Sequence, residues 1–197
     1  MKFFTAAFAA VAAAALVDAH ISITPPTVAP NTYTSLAFRI PHGCDGSPTK
    51  QIEIKIPTNT SSVKGQHIPG WVVTTTTRPL EVPFTSDGKL VNTTVDTVTW
   101  SADPAGNNTL PDSAFMDFAI TIKTPSKGDD SGKVFFPIAQ TCVNGSSNWT
   151  ETGANSAHPA AALKLGATAA SGATSASSTG GLAIASIAAL LTAAYLL

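Results

Sequence analysis

Charge is scarce in this 197-residue chain: Asp, Glu, Lys and Arg make up 12% of it, and the formal net charge is −1. No basic stripe breaks that balance, which argues against a surface that tracks phosphates and so against nucleic-acid binding. Cysteine is nearly absent too, with only Cys44 and Cys142. Two thiols without histidines at ligand spacing do not make a zinc site. In an oxidising compartment an even pair is expected to form one disulfide. It would close a loop of about 100 residues, worth about 4–5 kcal/mol in the chain-entropy model. The chain has no G-x-S-x-G, no phosphate loop and no nucleophile–base pairing suited to hydrolysis. Helical periodicity of useful length is missing between Ile21 and Ile138, and no internal repeat occurs.

What is present begins at the ends. Met1-Lys2 is a short basic start, Phe3 to Leu16 is apolar, and Val17-Asp18-Ala19 has the small-x-small pattern that signal peptidase reads. Residues 1–19 are therefore expected to be a signal peptide, with His20 as the first residue of the mature protein. At the other end, Ala167 to Gly181 is rich in Ala, Ser, Thr and Gly, and Leu182 to Leu197 is apolar with no basic residue after it. Small residues, polar spacer and hydrophobic tail occur in the order of a GPI-attachment signal. Ser171-Gly172-Ala173 fits the attachment site, with Ser171 as the modified residue and 182–197 removed. The alternative is a plain C-terminal membrane anchor, for which the tail is short against the about 20 apolar residues a spanning helix needs. Either reading places the protein outside the cell, on a membrane or wall. Between the two signals lie about 150 residues, enough for one domain with a real core. Five N-x-S/T sequons, at Asn59, Asn92, Asn107, Asn144 and Asn148, agree with a eukaryotic secretory route.

Short alternating runs fill the interior. Gln51-Ile52-Glu53-Ile54-Lys55-Ile56 sets three isoleucines on one face, and Ser35 to Ile40 alternates as well. Trp71–Thr77, Thr93–Trp100, Phe115–Lys123 and Lys133–Thr141 read as further strands. Turn residues separate the runs, among them Pro41-His42-Gly43, Pro69-Gly70, Asp87-Gly88 and Lys127-Gly128-Asp129. Many short strands at this spacing predict an all-β chain, an antiparallel β-sandwich of immunoglobulin or cupredoxin type. The pattern fades from Ala154. The domain is taken as 20–159, followed by an Ala/Ser/Thr/Gly-rich linker over 160–181.

The chemistry concentrates at His20. A histidine at a free N-terminus offers its α-amine and its ring Nδ1 to one metal and closes a six-membered chelate. An internal histidine cannot, because its backbone nitrogen is an amide. Nitrogen donors of this kind suit Cu(II), and with pKa values of about 8 and 6.5 both groups can bind at mild pH. The other histidines, His42, His67 and His158, fall in loops or linker and read as solvated. Asp117, in Phe115-Met116-Asp117-Phe118, shares a strand face with Phe115; an acid there is costly to bury unless it is paired or binds a cation. Otherwise it is an ordinary exposed strand aspartate. Trp71 and Trp100 sit inside strand patterns and read as core. Trp149 follows Cys142 in a polar loop, and core packing is its plainer reading.

At these residues the chain resembles the YcnI-like copper-binding domains, known from bacteria and some fungi. The resemblance runs from "HISITPPTVAPNTYTSLAFRIPHGCDGSPTKQIEIKIP" at His20 through "PGW" at Pro69, "VTW" at Val98 and "FMDF" at Phe115 to "QTCVNGSSNW" at Gln140. It implies an exported, membrane-anchored copper binder that works beside copper-transport proteins. With the tail described above, it implies a fungal, GPI-anchored member. The metal site it implies is a monohistidine brace: His20 gives amine and ring nitrogen, Asp117 stands where the family has glutamate, and Trp149 packs at the metal. It also pairs Cys44 with Cys142.

The expected function is thus a non-catalytic, monomeric Cu(II)-binding protein for acquisition, buffering or delivery at the cell surface, with copper as its cofactor and a copper transporter as its partner. A structural wall glycoprotein without metal is the bland alternative. A copper-dependent polysaccharide oxidase is the enzymatic one. That chemistry uses a second histidine, and none sits in a strand beside an aromatic partner.

Overall fold

A computed structural model describes residues 20–153 and 155–167. The signal peptide, Ser171 and the apolar tail lie outside these residues. Among the described residues the regular elements are twelve strands: β1 (Ser22–Thr24), β2 (Thr27–Val28), β3 (Tyr33–Ile40), β4 (Thr49–Lys55), β5 (Ser61–Gly65), β6 (Trp71–Ser86), β7 (Lys89–Ala102), β8 (Met116–Lys123), β9 (Lys133–Phe136), β10 (Ile138–Cys142), β11 (Ser146–Trp149) and β12 (Ala161–Leu165). They form a four-stranded sheet in the order β1-β3-β8-β5, a five-stranded sheet in the order β11-β10-β4-β7-β6, and a three-stranded sheet in the order β2-β12-β9. All pairings are antiparallel except β2 with β12. The all-β sandwich predicted from the sequence is the observed architecture.

Alternation decides which side chains enter the core. On β4, Ile52 and Ile54 are fully buried, and Ile56 follows just beyond the strand. Leu36, Phe38 and Ile40 of β3 and Phe118, Ile120 and Ile122 of β8 are buried in the same way. Aromatic rings close the space between the sheets. Trp71 and Trp100 both meet Phe118 edge to face, at centroid distances of 5.1 and 5.5 Å. The Trp100 indole N–H donates to the Gln66 carbonyl at 2.8 Å, so this large core residue leaves no polar atom unpaired.

Three features depart from the sequence reading. The segment Lys133–Thr141 is not one strand, because Pro137 has no N–H to continue a ladder. The chain changes sheets there, from β9 to β10, while Val134, Phe136, Ile138 and Gln140 stay buried in register. Second, β6 and β7 run past the predicted Thr77 and Thr93 into one long hairpin, closed by Asp87-Gly88 with φ values of 49° and 74°. Pro79 and Pro83 interrupt the pattern that would have shown it, and the register shifts between Pro79 and Phe84. Third, the linker does not begin at 160. Ala161–Leu165 is β12, paired with β9 from Ala161 to Lys164 and with β2 at Lys164 and Leu165, and Ala161 and Leu163 are buried in the core. Small alanines carried the alternation too weakly to be seen.

The correction at β12 has a measurable consequence. Leu163→Ala is expected to cost about 2–5 kcal/mol in a denaturant melt, as for other buried leucines. A cost below about 0.5 kcal/mol, the range of ordinary surface changes, would mean that 160–165 is only a tail.

Candidate metal centre

The site is built where the loop after β3 meets the end of β10. A Cβ at position 43 would run into the Ser47 carbonyl, so the tight turn Cys44-Asp45-Gly46-Ser47 folds back over position 43 and requires glycine there. The disulfide Cys44–Cys142, with Cα atoms 6.0 Å apart, fastens this turn to β10. The next turn is held by the same loop: the Val143 N–H donates to the Pro48 carbonyl and the Asn144 N–H to Ser47 Oγ, both at 2.8 Å. Gly145, at φ 88°, supplies the left-handed residue that folds β11 back on β10. Trp149 ends β11 opposite Ile138 and is buried.

One buried amide fixes the indole. The Trp149 Nε1–H donates to Gln140 Oε1 at 3.0 Å. The Gln140 Nε2 group in turn donates to the His42 carbonyl and to Thr49 Oγ1, each at 2.8 Å. Gln140 is 1% exposed. A buried amide with its hydrogen bonds satisfied holds one orientation, because any rotation leaves a polar atom without a partner.

Two exposed imidazoles stand against this indole. The His20 ring lies 6.1 Å from the Trp149 ring, centroid to centroid, at an interplanar angle of 75°. His20 reaches it because Ile21 and Ile23 are buried, and the alternation leaves His20 and Ser22 outside. The second imidazole is His158, 5.2 Å from Trp149 at 84°. The sequence pattern had put His158 in featureless linker. In the fold its loop is tied to the residues just after Trp149. The His158 carbonyl accepts from the Thr150 and Glu151 N–H groups at 3.1 and 3.2 Å, and the Ala160 N–H donates to the Glu151 carbonyl at 2.7 Å. The alternation of Ala161 and Leu163 was the available clue that an ordered strand follows His158.

Asp117 has a different engagement. Arg39 lies opposite it on β3 and grips both carboxylate oxygens, Nε to Oδ1 at 2.8 Å and Nη2 to Oδ2 at 2.9 Å. The guanidinium also lies 4.4 Å from the centre of the Phe115 ring. The Arg39 hydrogen bond, reinforced by its charge, holds the Asp117 carboxyl below the usual range, against a smaller upward push from burial. Asp117 is thus the paired strand acid that the sequence left open, and Arg39 is the partner the sequence did not reveal. Among the described residues no group of three His, Cys, Asp or Glu side chains is placed to hold a metal ion. His42 turns its Nδ1 to the Gly43 carbonyl at 2.6 Å, and His67 is exposed in a loop. All five sequon asparagines are exposed, and on β11 Asn148 alternates with Trp149, so its side chain leaves from the opposite face.

Residues 20–165 match the family model described as a domain of unknown function, DUF1775. The chain belongs to the DUF1775 family. The match starts at His20 and ends with β12, so it covers the sandwich and agrees with the extended C-terminal boundary. A curated relative of this DUF1775 chain is the copper-binding protein CutI of Bacillus subtilis (strain 168), 25% identical over 114 residues. That alignment covers 58% of this chain and 48% of CutI, so the chain spans about half the length of that relative. Among solved structures, an uncharacterized protein from Nocardia farcinica with an immunoglobulin-like fold is similar at a TM-score of 0.55 and 28% identity, over 75% of this chain and 99% of that one. The family resemblance drawn from the motifs and the immunoglobulin-like sandwich are both borne out.

The Arg39–Asp117 pair predicts a pH effect with a definite sign. A depressed folded-state pKa contributes stability above the ordinary carboxylate range and loses it as the pH falls through the lowered value. Arg39→Ala is expected to raise the Asp117 pKa toward its ordinary value in an NMR titration and to flatten this part of the acid limb. An unchanged Asp117 titration would show that the pair does not persist in solution.

Proposed function

We propose that the mature domain binds one Cu(II) ion through His20, beside Trp149, at the outer surface of the cell. The observation that carries this reading is the contact between His20, where the family match begins, and a buried tryptophan held in one orientation. The printed name of the CutI relative supports copper as the metal. So does the donor set. Exposed imidazole without a carboxylate cluster suits a nitrogen-loving ion and does not suit Ca²⁺ or Mg²⁺, which require oxygen ligands.

In this reading signal peptidase frees the His20 amine, and amine and ring nitrogen close the chelate. The metal supplies Lewis acidity and redox capacity when bound. The chain's own groups set its surroundings. Trp149 walls off one side from water, and Gln140 keeps that wall in place. Asp117 is held by Arg39 and could serve a metal only by leaving it. The protein is a copper handler without catalytic activity, held to membrane or wall by a GPI anchor, and it passes copper to a transporter. A metal-free wall glycoprotein is the reading that the absence of copper binding would favour.

The test compares the domain bearing an unmodified His20 α-amine with the same domain acetylated on that amine. The acetylated form is expected to lose Cu(II) affinity by at least 100-fold, about 2.7 kcal/mol, in a competition titration. Equal affinities would remove the chelate from the account. A second outcome bears on catalysis: the copper-loaded domain with ascorbate should release no oxidised oligosaccharides from cellulose, chitin, xylan or glucan. Products that vanish in His20→Ala would make it an oxidase.

A further inference from the structure

We propose that His158 is a second imidazole donor to the copper held at His20, so that the site has three nitrogens and not two. This rests on the copper reading above and deepens it.

Of the described histidine rings, those paired with an aromatic ring are His20 and His158, and both pair with the same buried indole. Trp149 cannot turn away from either ring without breaking its bond to Gln140. The loop that carries His158 is anchored as a small structure of its own. Its carbonyl is satisfied twice by the N–H groups after Trp149, and its N–H points to Glu151 Oε2 at 3.4 Å. A parallel bridge between Glu151 and Pro159 and the entry into β12 hold the far side. The backbone at His158 is thus spoken for, and what the loop offers to solvent is the imidazole.

The chemistry also calls for a further donor. Amine and ring nitrogen from one residue leave Cu(II) short of the four strong donors of its tetragonal sites. The described carboxylates do not assemble with histidine into a cluster, and Asp117 is held by Arg39. The exposed imidazole of His158, on the same tryptophan, is a neutral nitrogen donor of the required kind.

The experiment loads the secreted protein, with His20 exposed, with one equivalent of Cu(II) and counts bound imidazoles by pulsed electron paramagnetic resonance. Two are expected in the unsubstituted protein and one in His158→Ala, with affinity reduced by at least about 10-fold. His158 is exposed, so circular dichroism and the melting temperature should not change. One imidazole in the unsubstituted protein, the same in His158→Ala, overturns the role of His158 and leaves the His20 site standing. Two imidazoles that persist in His158→Ala overturn it also, by pointing to His42 or His67. Absence of any nitrogen coupling to Cu(II) overturns the copper reading beneath it.

Discussion

The hydrogen bond from the Trp149 indole to the Gln140 amide is the constraint on which the candidate site depends. Trp149 ends a strand of only four residues at the edge of the five-stranded sheet. A short edge strand fixes a side chain weakly by itself. The buried amide supplies what the strand lacks, and it does so by reaching across to the His42 carbonyl and Thr49. The disulfide and the Ser47 and Pro48 contacts hold the same region from outside. The candidate groups thus rest on a rigid scaffold, and among the described residues no buried polar side-chain atom in the support is left over.

The three sheets contribute unequal parts. The four-stranded sheet brings His20 to the site by simple alternation along its edge, and one of its inner strand pairs carries Arg39 and Asp117 in register. The five-stranded sheet brings Trp149. His158 arrives from the connection into the third sheet. Around Trp149 stand two imidazoles, and the Glu151 carboxylate points at the His158 N–H; imidazole nitrogens favour a borderline metal over a hard one.

Much of the fold was legible in the sequence, for a physical reason. The isoleucines of β4 and the alternating apolar residues of β3 and β8 are large, and a period of two in large side chains is a strong signal. Trp71 and Trp100 were rightly placed in the core. What was missed carried weak signals. The alternation of β12 is written mostly in alanine, and prolines mask the outer half of the β6–β7 hairpin. His20 and Trp149 were found through the motifs, and the fold does bring them together. The contacts of Gln140 and His158 with Trp149 were not found, because the first depends on the pairing of β10 with β11 and the second on a loop that lacks pattern. Asp117 was singled out without its partner, since a cross-strand Arg–Asp pair depends on a register that a sequence does not show.

The central claim is that His20 begins the mature protein with a free amine. The most direct measurement is the mass of the N-terminal peptide of the protein isolated from its own cells. The account predicts a peptide that starts at His20-Ile21-Ser22 and carries no modification on its α-amine. A peptide that starts at any other residue, or one whose α-amine is acylated or cyclised, would contradict it.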